Sequence, residues 1–169
     1  MKPTVSIIMG STSDLPVMEK AMQMLEELAI PFEVNALSAH RTPQAVEQFA
    51  HEAKGRGISV IIAAAGMAAA LPGVIAASTT VPVIGVPIKG MLDGLDAMLS
   101  IIQMPPGIPV ATVGVNAAAN AAILAAEMIA IADQDVARRV EAYKARLGEK
   151  IEKANRQLAE IKDYQYKTN

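Results

Sequence analysis

The sequence predicts an α/β protein: a three-layer αβα sandwich around a parallel five-stranded sheet, closed by C-terminal helices. Two observations carry this expectation. Short, continuously apolar runs alternate with amphipathic stretches, as buried parallel strands and their crossover helices do. The polar residues best suited to chemistry fall directly after those runs, where ligands bind in sheets of this kind. With 169 residues, 52% of them apolar and 19% charged, the chain suits one well-buried domain over 1–169. Its core is expected over about 4–130, with a helical extension over 131–169.

The strands are expected at Val5–Met9, Phe32–Leu37, Val60–Ala64, Val83–Val86 and Val110–Val115. Each is apolar or β-branched and bounded by Gly, Pro, Asn or Ser. Between them, Leu15–Leu28, Pro43–Arg56, Ala68–Ser78 and Leu92–Gln103 carry helical periodicity. Asn116–Ala132 is an alanine-rich helix able to approach another surface closely. Asp133 has the character of an N-cap for a long charged helix. In that helix Val136, Val140, Tyr143, Leu147, Ile151, Ala154, Leu158 and Ile161 recur every three or four residues and form one apolar stripe. So long a stripe exceeds what a compact sandwich covers, which points to a partner subunit.

Composition excludes several functions. A net charge of −2 gives no electrostatic case for nucleic acid or an anionic membrane. Aromatics at 3% leave no base-stacking platform. The absence of cysteine removes disulfides, thiolate nucleophiles and Cys-ligated metals, and suits a reducing cytoplasm. Two histidines without supporting carboxylate spacing give no metal site. Met1-Lys2-Pro3-Thr4 lacks the apolar stretch of a secretory leader, and no apolar run is long and helical enough to span a bilayer once Pro and Gly are counted as breaks. A cytoplasmic protein is expected.

Three segments carry the chemistry. Gly10-Ser11-Thr12-Ser13-Asp14 follows the first strand and opens a helix. Gly10 permits a tight turn, the hydroxyls and helix-start amides suit an anion, and Asp14 suits a sugar hydroxyl. Capping by Ser13 or Asp14 accounts for one of these residues but not for all five. Ser38-Ala39-His40-Arg41-Thr42-Pro43 follows the second strand and sets a proton carrier beside an anion clamp. A solvent-facing helix start explains that pair alone equally well. Ala64 to Gly73 follows the third strand, its small residues leaving backbone N–H groups open to a carboxylate or carbon dioxide. For Ala68 and Ala69, close packing of a helix on the sheet is an equal explanation. His51, mid-helix beside Glu52 and one turn from Glu47, is a solvent-facing residue.

Together these segments resemble the 5-(carboxyamino)imidazole ribonucleotide mutase family, the class I aminoimidazole ribonucleotide carboxylase-mutases of purine biosynthesis. Gly10 to Asp14 matches the family's GSxSD loop, Ser38 to Pro43 its SAHRTP motif, and Gln103-Met104-Pro105 its QMP segment. Gly66 to Gly73 resembles its AGxAAHLPG loop, departing at Ala70, where the family usually has His. The likeness runs in order from about Val5 to about Ala130. It implies a flavodoxin-like fold, a homo-octamer with sites between subunits, a ribonucleotide substrate and no cofactor. His40 becomes the general acid and base. Ser11 and Arg41 address the phosphate and Asp14 the ribose, with Gly10, Ser13, Ser38, Gly66 and Ala68 completing the substrate site. The reaction implied is decarboxylation and recarboxylation of the carbamate ribonucleotide; direct carboxylation of aminoimidazole ribonucleotide by carbon dioxide is the second reading.

Other classes fit less well. A phosphorelay receiver needs an acidic acceptor after the third strand, where this chain has Ala-Ala-Gly. A flavin carrier stacks its ring on aromatics, which are scarce here. A non-catalytic phosphosugar- or nucleotide-binding flavodoxin-like module remains as the alternative to an enzyme.

Overall fold

The computed structural model describes residues 4–167. Met1, Lys2 and Pro3, part of the stretch on which no secretory leader was expected, and the last two residues of the expected C-terminal extension lie outside the described residues. Five strands form one parallel sheet: β1 (Val5–Met9), β2 (Phe32–Ala36), β3 (Val60–Gly66), β4 (Val83–Ile88) and β5 (Ala111–Thr112), in the order β2-β1-β3-β4-β5. This is the flavodoxin-like order, with its topological switch between β1 and β3. The central strands are apolar on both faces because both faces are covered: β1 and β4 are buried throughout.

Six α-helices cover the sheet: α1 (Leu15–Glu27), α2 (Pro43–Arg56), α3 (Leu71–Ala77), α4 (Leu95–Ile102), α5 (Ala118–Ala130) and α6 (Gln134–Glu160). On one face Val5, Ile7, Ile62 and Val86 pack with Met18 and Leu25 of α1, the alanines of α5 and the start of α6. On the other, Ile8, Ile61 and Ala63 pack with Val46 and Phe49 of α2, Leu71 and Ile75 of α3, and Ala97 and Ile101 of α4. The α5 alanines at 118, 121, 122, 125 and 126 are fully buried. Their spacing of three and four puts them on one helix face, and the short side chains let α5 sit close against the sheet and α1. A comparable approach occurs at Gly85 of β4, where a Cβ would stand 2.3 Å from Ile101 Cγ2.

Most boundaries agree with the sequence expectation within two residues, and three elements depart further. β5 pairs only Ala111 and Thr112 with β4, because an edge strand needs register on one side only. α3 begins at Leu71 rather than Ala68: the chain is still turning there, with Met67 at a left-handed φ of 56° and the Ala69 N–H returned to the Met67 carbonyl at 2.9 Å. α4 begins at Leu95 rather than Leu92, because Leu92, Asp93 and Gly94 are all left-handed, at φ 50°, 54° and 87°.

α6 is capped by Asp133, whose carboxylate accepts from the N–H groups of Asp135 and Val136 at 2.9 and 3.0 Å. Val136 and Val140 join the core and Tyr143 packs against it. Beyond that point the stripe is open: Leu147, Ile151 and Leu158 are exposed, Ile151 to 65%. No helix among the described residues is long and apolar enough to cross a membrane.

Candidate active site

A cleft of about 430 Å³ opens at the carboxyl ends of β1 to β4. Gly10, Ser11 and Asp14 enter from the loop after β1, and Ser38 to Arg41 from the loop after β2. Ala65 to Leu71 enter from β3 and its loop, and Ile88, Lys89 and Gly90 from the end of β4. The structure thus brings together His40, Ser11, Asp14, Arg41, Ser38, Gly10, Gly66 and Ala68. Ser13 does not line the cleft; its hydroxyl donates to Asp14 Oδ1 at 3.2 Å. Gln103 and Met104 are also outside the lining, and Met104 lies under Gly73.

The loop after β1 forms a 3-10 turn, Thr12–Asp14, before α1 begins. Neither Ser13 nor Asp14 caps α1 with its side chain. The side-chain cap is on the 3-10 turn, where Ser11 Oγ accepts from the Ser13 N–H at 3.3 Å. Asp14 therefore stands at the helix start with one carboxylate oxygen bonded to the Ser13 hydroxyl and none bonded to the backbone of its own helix. Burial pushes its carboxyl above the ordinary aspartate range, and the Ser13 hydroxyl pulls it part of the way back.

The loop after β2 is tied to itself and to β1. The Ser38 N–H donates to Thr42 Oγ1 at 3.0 Å, and the Thr42 hydroxyl donates to the Ser38 carbonyl at 3.1 Å. That occupies the threonine side chain at the N-cap position of α2, so it caps the turn rather than the helix, with Pro43 opening α2. Ser38 Oγ accepts from the Arg41 backbone N–H at 3.2 Å and from Arg41 Nε at 3.4 Å. Arg41 Nη2 then reaches the Gly10 carbonyl at 2.7 Å, joining two loops that are 31 residues apart in sequence. His40, inside this closed turn, is exposed and lines the cleft.

One charged residue of the site, Lys89, was not singled out by sequence reasoning. Lys89 lines the cleft, and its N–H donates to Asn116 Oδ1 at 2.9 Å. The Asn116 N–H in turn donates to the Pro87 carbonyl at 2.8 Å. The signal was present, since Lys89 is the one charged residue in the Pro87-Ile88-Lys89-Gly90 strand end. His51 lies away from the cleft, paired with Glu47 at 3.6 Å on the surface of α2.

This arrangement, an exposed imidazole beside an anion-binding loop at the switch point, is joined by direct similarity. The family model described as AIR carboxylase matches residues 4–150. The chain belongs to the AIR carboxylase family. It is 51% identical over 161 residues to a Pyrococcus horikoshii protein named N5-carboxyaminoimidazole ribonucleotide mutase, covering 95% of this chain and 91% of that one. It is 57% identical over 143 residues to a Candida glabrata phosphoribosylaminoimidazole carboxylase, covering 84% of this chain and 25% of the yeast protein. The crystal structures of Treponema denticola PurE2-S38D and of Treponema denticola PurE superpose with TM-scores of 0.85 and 0.84, each at 30% identity. The latter match covers 92% of this chain and 98% of that one.

Proposed function

We propose that the protein is an N5-carboxyaminoimidazole ribonucleotide mutase of de novo purine biosynthesis, an isomerase that moves a carboxyl group from the exocyclic nitrogen to the neighbouring ring carbon. The observation that carries the reading is the Arg41–Gly10 hydrogen bond of 2.7 Å. It holds the His40 turn over the Ser11–Asp14 loop, so that one proton carrier stands beside a set of groups suited to a phosphorylated sugar.

In this reading Ser11 and Arg41 hold the phosphate and Asp14 the ribose hydroxyls, with Gly10, Ser13 and Ser38 shaping those two loops. The His40 imidazolium protonates the carbamate nitrogen. The C–N bond then breaks, its electron pair staying on nitrogen, and carbon dioxide is released. The enamine-like ring carbon attacks carbon dioxide to form the new C–C bond. Neutral His40 removes the ring-carbon proton, which restores aromaticity and returns the imidazole to its starting form. Gly66 and Ala68 belong to a loop whose small side chains bring the backbone close to the site and hold carbon dioxide where the ring carbon can reach it. No other group needs to exchange protons or electrons for the step to balance.

The same reading makes the protein a cytoplasmic homo-octamer. Assembly is supported by the exposed stripe of α6 together with the exposed Leu95, Leu99 and Ile102 of α4, while the number eight and the compartment rest on the family resemblance and the composition. A protein that remains monomeric leaves these apolar faces against water.

The test is turnover of the carbamate ribonucleotide, and of aminoimidazole ribonucleotide with bicarbonate, by wild type and His40→Asn. Fast use of the carbamate, bicarbonate-dependent turnover far slower, and a His40→Asn protein that binds without turnover are expected. Efficient direct use of carbon dioxide would move the assignment to the carboxylase, and no turnover of either substrate would overturn it.

A further inference from the structure

We propose that Lys89 binds the migrating carboxylate of the ribonucleotide, and that Asp93 holds the lysine ammonium until that carboxylate arrives. The assignment rests on the mutase reading and extends it to a residue that reading does not use.

Two basic side chains line the cleft, Arg41 and Lys89. They enter from opposite sides: Arg41 follows β2 and Lys89 follows β4, with β1 and β3 between them. Three strand spacings separate the two chain positions, about 14 Å in all. Arg41 is turned towards the β1 loop by its hydrogen bond to Gly10. A ligand with a phosphate at one end and a carboxylate at the other therefore meets one cation at each end. The chemistry of the two cations follows the same division. The planar guanidinium fork suits the several oxygens of a phosphate, whereas an ammonium on a flexible stem is a point charge able to follow a carboxylate from nitrogen to the adjacent carbon.

The backbone at Lys89 is fixed while its head group is free. Its N–H is held by Asn116 Oδ1 at 2.9 Å, and Asn116 is itself held by the Pro87 carbonyl. Its side chain is 59% exposed and makes one ion pair, to Asp93 Oδ1 at 3.0 Å. Asp93 is 87% exposed, so this pair is solvated and weak, and a ligand carboxylate can replace it. The left-handed turn Leu92-Asp93-Gly94 sets Asp93 one turn from Lys89. That turn is anchored, because Gly94 is pressed so close to Val115 that a Cβ would stand 2.6 Å from its Cγ1.

Calorimetric titration with two ribonucleotides tests this: the C4-carboxylated product and aminoimidazole ribonucleotide, which lacks the carboxylate. For Lys89→Gln the product is expected to bind about tenfold more weakly, a change of about 1.4 kcal/mol, and the uncarboxylated ligand within twofold of wild type. Lys89→Arg should recover most of the product affinity, and Asp93→Asn should bind the product more tightly than wild type. Equal losses for both ligands, or no loss for either, would overturn the assignment while leaving the mutase reading in place. Wild-type protein that binds neither ribonucleotide would overturn the mutase reading, and this one with it.

Discussion

Replacing Arg41 with lysine keeps the charge and removes the fork, and the structure sets the size of the effect. Of the five N–H hydrogens of the guanidinium, Nη2 gives one to the Gly10 carbonyl at 2.7 Å and Nε gives one to Ser38 Oγ at 3.4 Å. The remaining three, on Nη1 and Nη2, are available to a phosphate as a bidentate pair. A lysine ammonium has three hydrogens and no planar geometry, so it cannot hold the Gly10 carbonyl and grip two phosphate oxygens at once. Loss of one charge-assisted hydrogen bond costs about 1.5–3 kcal/mol, which is about a 10- to 140-fold rise in Kd. The measurement is calorimetric titration of Arg41→Lys with aminoimidazole ribonucleotide and with the corresponding nucleoside. The nucleotide should lose affinity within that range, and the nucleoside should stay within twofold of wild type. Because Arg41 is exposed, the urea midpoint should move by no more than about 0.5 kcal/mol in free energy. A nucleotide Kd within threefold of wild type, or an equal loss for the nucleoside, would refute the placing of phosphate at Arg41.

Asp14→Asn should separate stability from binding. Burial raises the carboxyl's pKa above the ordinary 3.8, so the native state holds that proton more tightly than the unfolded chain does. The ionised group is therefore a destabilising one, and its cost grows as pH rises from 3.8 through the folded value. The asparagine variant should melt above wild type at pH 7, match it below pH 3.8, and bind ribonucleotide poorly; melting at a fixed protein concentration across pH checks the sign. Gly85→Ala places a methyl 2.3 Å from the buried Ile101 Cγ2 and should destabilise by about 1–3 kcal/mol in urea unfolding. An unchanged midpoint would mean that α4 moves away from the sheet freely. Leu147→Glu combined with Ile151→Glu should lower the mass measured by light scattering, and an unchanged assembly would remove α6 as a subunit contact.

The central strands were legible because β1, β3 and β4 are buried on both faces and so are apolar at nearly every position. β5 was expected over six residues and has two, because sequence records apolarity and not how many neighbours a strand finds at a sheet edge. The starts of α3 and α4 were placed early for a different reason. Met67, Leu92 and Asp93 are left-handed without being glycine, and side chains of these types do not announce that conformation. The phosphate-loop and histidine-turn residues could be read from motifs local to each loop. Their union in one site came only through the family resemblance, and the contact that makes it was not legible: Arg41 reaches Gly10 because β2 lies beside β1, and strand order is a property of the assembled sheet. Lys89 escaped notice for the same reason. A lysine beside a glycine resembles any solvated loop until β4 is placed two positions from β1.

Strand order also explains why a cleft exists at all. From β1 the chain turns to α1 on one face of the sheet, whereas from β3 it turns to α3 on the other. The two loops part as they leave adjacent strands, and the gap between them is the one place along these strand ends that a ligand can enter without displacing a crossover. β2 leads to α2 on the α3 face, so its loop closes one end of the gap, and the end of β4 closes the other. Polar groups from four loops then face a common space, although none of those loops is adjacent to another in sequence. The identities of the side chains choose the chemistry. Substitutions that shift the relation between β1 and β3 should therefore damage binding of every ligand, while substitutions at Arg41 and Lys89 should discriminate between ligands by their anionic groups.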